Sequence, residues 1–137
     1  MGEIEATCAR LSAIGMNPIE RRRLKALHAS METLARQDAE PEYADANREF
    51  HQAIYAGAHN AVLIDFAVAL RRRLDPFRRA QFRAQGRLLK SHREHDAIVS
   101  AILAGQAEAA HATMLDHVHS VGDAFEQMKN EVRPLAM

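Results

Sequence analysis

Tryptophan is missing, aromatic residues make up only 5% of the chain, and glycine and proline number six and four. That supply speaks against a strand-rich fold, which draws on aromatics and frequent turns. Ala, Leu, Arg and Glu, all good helix formers, are plentiful instead, so an all-α fold is the expectation. A single cysteine, Cys8, excludes an internal disulfide and fits a cytoplasmic, reducing compartment. An excess of either charge is lacking too. Eighteen basic residues balance 18 acidic ones, which removes the electrostatic footprint of an autonomous nucleic-acid binder. Neither a secretory signal nor an apolar run near the ~20 residues of a membrane span is present, so no membrane partner is expected. At 137 residues the chain has the size of a single domain with a core of its own.

Apolar residues recur with a 3.6-residue period between stop signals. This predicts an antiparallel bundle of six helices, or seven if Pro76 splits the fourth. Residues 3–14 carry Ile4, Cys8, Leu11 and Ile14 on one stripe and end at Gly15. Asn17 caps the second helix, with Pro18 at its first position and Glu20 three residues after the cap; its stripe is Leu24, Leu27, Met31 and Leu34. Pro41 opens the third helix and Gly57 stops it. The fourth starts near Asn60 and shows Leu63, Phe66, Ala67, Leu70, Leu74 and Phe77 on one face. After a turn at Gln85-Gly86, Ser91 and Glu94 form a capping box that starts the fifth helix almost at His95, and Gly105 closes it. The sixth helix runs from about Gln106 to Lys129, with Pro134 in a frayed tail.

Three histidines fall on the apolar stripes of three different helices. His51 shares its face with Asn47, four residues earlier, and with Phe50 and Ile54; His95 runs with Ile98, Val99 and Ile102; His117 runs with Met114, Val118, Val121 and Phe125. A neutral imidazole buried alone leaves a donor and an acceptor to satisfy. Several converging imidazoles and an amide oxygen can satisfy one another by binding a metal ion, and helical bundles build internal sites this way. The pattern is also that of an ordinary hydrogen-bonded histidine cluster. Of the remaining histidines, His28, His59, His111 and His119 read as surface or border residues, and Cys8 as packing.

Asn47-Arg48-Glu49-Phe50-His51-Gln52-Ala53-Ile54-Tyr55 followed by Asn60, then Glu94-His95-Asp96-Ala97-Ile98-Val99 with Ala101-Ile102, then Ala109-Ala110 and Met114-Leu115-Asp116-His117, resembles the FCD domain. That domain is the C-terminal effector-binding part of GntR-superfamily transcription regulators of the FadR subfamily. The resemblance runs from Glu3 to about Phe125. It implies a helical bundle around a pocket, with a divalent metal on Asn47, His51, His95 and His117; zinc is the first choice, nickel or manganese the others. It further implies a small carboxylate effector, homodimers, and DNA contact only through an N-terminal winged helix-turn-helix that these 137 residues do not contain.

Many relatives have Asp where this chain has Asn47. A neutral amide leaves a divalent ion its full charge, which weakens metal retention and strengthens the pull on an anionic effector. Asp45 is no substitute, since two residues along a helix is a rotation of ~200°. Nine basic residues crowd into 71–93 against Asp75 alone. Most read as a solvated face, but Arg73 and Arg78 flank the apolar stripe and are placed to hold a carboxylate, while Arg72 and Arg79 point away. His92, one turn before His95, is a further pocket candidate. A ligand-sensing domain without catalysis is the leading reading. The rivals are a metal-dependent hydrolase and a purely structural helical domain; the hydrolase lacks a base, because Glu94 lies about 100° and Glu49 about 200° from their neighbouring histidines and should point elsewhere.

Overall fold

The computed structural model describes residues 1–132. They form six α-helices: α1 (Gly2–Gly15), α2 (Pro18–Arg36), α3 (Glu40–Gly57), α4 (Ala61–Ala80), α5 (Arg87–Leu103) and α6 (Ala107–Val132), with a 3-10 turn, Gln81–Arg83, between α4 and α5. No strand occurs among the described residues. Pro134 lies outside them. α4 continues through Pro76 to Ala80, so the helix is not split there.

Caps explain most of the boundaries. The Asn17 side chain accepts from the Glu20 amide at 2.8 Å while Glu20 reaches back to the Asn17 amide, so the capping box opens α2 as the sequence indicates. Asn60 caps α4 through the Leu63 amide at 3.0 Å. The Ser91–Glu94 box does not form. α5 begins four residues earlier, after Gly86, whose φ of 74° turns the chain at low cost. Leu88, Ser91 and His92 continue the buried stripe of His95, and Ser91 is an interior residue that accepts a hydrogen bond from the Tyr43 hydroxyl at 2.9 Å.

α1 occupies the middle of the bundle, against α3, α4, α5 and α6. Its buried face is therefore rotated from the expected stripe. Ala6, Cys8, Ala9, Ser12 and Ala13 are buried, while Ile14 is 67% exposed. Small side chains let neighbouring helices come close: a Cβ on Gly57 would sit 2.5 Å from Met16 Cε and 2.9 Å from Ser12 Oγ. Ser12 also donates to the carbonyl of Ile54 at 2.5 Å, tying α1 to the helix that carries His51.

α4 departs furthest from its sequence pattern. Phe66 and Phe77 are 57% and 53% exposed, and it is Ala67, Arg71 and Arg78 that are buried. Two arginines inside and two phenylalanines outside is the inverse of an ordinary amphipathic helix, and the charge in the core explains it.

Candidate metal centre

α3, α5 and α6 bring His51, His95 and His117 together in the core, all at most 2% exposed. Ring centroids are 5.4 Å apart for His51–His95, 4.7 Å for His95–His117 and 5.4 Å for His51–His117. One ring nitrogen of each lies within 4.8 Å of the others. Phe50 stacks on His95 with centroids 4.1 Å apart and so fixes that ring.

Two carboxylates set the orientation of the other two rings. His51 Nδ1 is 3.0 Å from Glu5 Oε1, and His117 Nδ1 is 2.7 Å from Glu94 Oε1. An ionised carboxylate only accepts, so each Nδ1 donates and each Nε2 keeps its lone pair. Burial would raise the Glu94 carboxyl, but hydrogen bonds from His117, Arg87 and Ser120 bring it down to about 2. Burial likewise works against Glu5, yet Arg78, His51 and Arg71 together hold it well below the usual carboxylate range.

The imidazoles are neutral at neutral pH, the state in which they ligate metals. Burial lowers His51, helped by Arg71 and opposed by Glu5. Burial lowers His95, reinforced by His117 and His51, and burial lowers His117 against the pull of Glu94. The inward atoms lack other partners: His51 Nε2 and Asn47 Oδ1 are buried without a hydrogen bond, and His95 Nε2 and His117 Nε2 are 3.3 Å apart. That separation is close to the edge of a tetrahedron with metal–nitrogen bonds of about 2.0–2.1 Å. Three imidazoles and an amide oxygen thus form a donor set that fits a divalent transition metal.

The FCD domain model of the known protein families matches residues 1–120. This chain belongs to the FCD domain family. In three dimensions the domain is similar to McbR/YncC of E. coli, with a TM-score of 0.80 at 17% identity; the match covers 92% of this chain and 61% of that one. No curated protein matches it in sequence.

Around the three histidines this FCD domain has an inner charge cluster that sequence reasoning missed. Glu5 of α1, wholly buried, lies 3.0 Å from Arg78 and 3.6 Å from Arg71 and accepts a hydrogen bond from the Tyr55 hydroxyl. Arg71 and Arg78 are seven residues apart on α4 and so share its inner face. Arg78 was expected near the site and is there. Arg73 is not: it is exposed, two residues and ~200° from Arg71, on the outer face of α4. Arg72 and Asp45 point outward as expected, Asp45 pairing with Arg79 at 3.0 Å.

Glu94 corrects a further expectation. Its carboxylate does point away from His95, its neighbour in sequence, but it meets His117 across the α5–α6 seam, with Arg87 bridging it at 2.9 and 3.2 Å and Ser120 at 2.5 Å. A helical wheel of α5 alone cannot show a partner on α6. Glu49 is exposed. His92 is turned from the core histidines and stacks on His28, with centroids 4.2 Å apart. One signal could have found Glu5: it stands four residues before Ala9 and seven before Ser12, in line with small residues that mark a close helix approach.

Proposed function

We propose that this FCD domain is the ligand-sensing part of a transcription regulator and not an enzyme. A divalent metal, zinc first and nickel or manganese next, is held by His51, His95 and His117 with Asn47 at its edge, and a small organic acid is the effector. The observation that carries this reading is the inward set of His51 Nε2 and Asn47 Oδ1, both without a partner, beside the paired Nε2 atoms of His95 and His117, with the outer nitrogens of His51 and His117 held by Glu5 and Glu94. When bound, the metal supplies a positive centre that attracts an anionic oxygen. Asn47 adds no charge to oppose it. Arg71 and Arg78 add two positive charges and Glu5 one negative, so the core favours an anion even before a metal is counted. A cavity of about 400 Å³ between α3 and α4, lined by Arg48, Gln52, Arg72 and Asp75, reaches Arg71 from the surface, and its three arginines against one aspartate offer an anion a route in. Arg78 and Arg71 are the effector-binding residues we favour in place of Arg73 and His92.

The hydrolase reading has less support. A general base must be free to take a proton, yet Glu5 and Glu94 are both held by arginine and histidine in their ionised form. Control of DNA binding falls to a module outside these residues, through a shift in population between two arrangements of a paired regulator. Among the described residues no helix is long and apolar enough to cross a membrane.

Asn47→Asp is the test. Restoring a charged oxygen should raise zinc affinity about tenfold or more and weaken binding of citrate or a similar carboxylate by a comparable factor. Calorimetry of both ligands on both proteins measures it; two unchanged affinities would remove Asn47 from the site.

The outer face of α4 supports pairing of two copies. Val62, Phe66, Ala69 and Leu70 form an apolar groove flanked by Asp65 and Arg73, opposite charges that a two-fold axis would set against each other. Phe66→Asp should turn a sedimenting dimer into a monomer without loss of helix content. A dimer that survives this change places the contact elsewhere.

A further inference from the structure

A second histidine cluster lies on the seam where α2 packs against α5. His92 and Asp96 are one turn apart on α5 and so share a face, and His28 meets them from α2. His28 Nε2 is hydrogen-bonded to Asp96 Oδ1, and the rings of His28 and His92 are stacked at 4.2 Å and 19°. One donor atom from each of the three lies within 4.8 Å of the other two. Nδ1 of His28 and Nδ1 of His92 are both buried without a hydrogen-bond partner. Two imidazoles placed face to face with unmet nitrogens beside a carboxylate are poorly satisfied by one another and well satisfied by a cation.

We propose that His28, His92 and Asp96 form a second divalent-cation site, open to solvent and separate from the buried centre. Two imidazole nitrogens and a carboxylate oxygen suit zinc, nickel, cobalt or copper over magnesium or calcium, which prefer all-oxygen shells. Asp96 is 60% exposed, so water completes the coordination and the ion exchanges readily. The remaining charged groups that bear on His92 are Glu32 and Arg36 of α2, which pair with each other at 2.7 Å and nearly cancel. The two sites share no ligand: the His28 and His95 rings are 6.4 Å apart, and His95 turns its Nε2 to His117. An ion here would clamp α2 to α5.

Zinc titrated into chelator-stripped protein, in competition with a chromophoric chelator, reads the stoichiometry directly. Two equivalents per chain are expected, the weaker lost in Asp96→Asn and in His28→Gln while the tighter is kept. Circular dichroism of the exposed-site variant Asp96→Asn confirms that the fold is intact. His117→Gln should do the reverse, losing the tight equivalent and keeping the weak one. A zinc count unchanged in both Asp96→Asn and His28→Gln overturns the proposal. Failure of the buried centre would look different: a single equivalent that survives His117→Gln and disappears in His28→Gln, which leaves the second site standing.

Discussion

Glutamine in place of Glu5 is expected to destabilise the domain by about 3 kcal/mol or more, because removing one partner of a buried ion pair leaves its counter-charges in the core uncompensated. Arg71 and Arg78 are 3% and 6% exposed, so water does little to replace the charge they lose. Against a typical total stability of 5–15 kcal/mol this is a large fraction, and it corresponds to a fall in Tm of about 10 °C. The linkage has a definite sign. A carboxyl whose folded-state affinity for protons is depressed contributes stability above its unfolded value of 4.5, and that stability is lost as the pH falls through the lower, folded value. The gap between wild type and Glu5→Gln should therefore be full at pH 7 and narrow in strong acid. His51 would also exchange a charged acceptor for a neutral amide oxygen, at a cost of roughly 10-fold in metal affinity. Urea denaturation at pH 7 is the check, and a difference below about 1 kcal/mol would show that the arginines find other partners.

His95→Ala has the largest expected effect on the metal. One of three imidazole ligands is lost, and the stacking partner of Phe50 goes with it. Metal binding at structural sites is worth roughly 10–16 kcal/mol with four ligands, so losing one should weaken zinc by at least about 100-fold. Packing loss alone would lower stability in the same direction, so Tm by itself does not separate the two causes. Chelator does. Wild-type protein gains about 2.7 kcal/mol when free metal stands at 100 times its dissociation constant, and that gain is what a chelator removes. EDTA should therefore lower the Tm of wild type by several degrees and leave His95→Ala nearly unmoved. Equal shifts in the two proteins would place the stabilising metal elsewhere.

How much of this was legible in the sequence depended on where each determinant lay. Helix ends were readable where a side chain caps its own helix, as at Asn17 and Asn60, because the partner is three residues away. The Ser91 box failed for the converse reason. Its motif was local, but Tyr43 on α3 claimed Ser91 for the core. Periodicity put His51, His95 and His117 on buried faces, and the core assembled them. What periodicity could not supply was which polar residues are buried by pairing across helices. Glu5 with Arg78, and Glu94 with His117, are 73 and 23 residues apart in sequence, and each looks like a surface residue on its own helix. The same blindness reversed α4: a wheel favours Phe66 and Phe77 for the interior, whereas Glu5 makes the interior electrostatically right for Arg71 and Arg78.

Asn47, His51, His95 and His117 are proposed to hold a divalent metal that an anionic effector can reach. Crystals of the domain grown with zinc, with diffraction recorded above and below the zinc absorption edge, test it most directly. An anomalous peak is expected about 2.0–2.1 Å from Nε2 of all three histidines. A map with no peak among those nitrogens, from crystals whose protein was saturated with zinc, would contradict it.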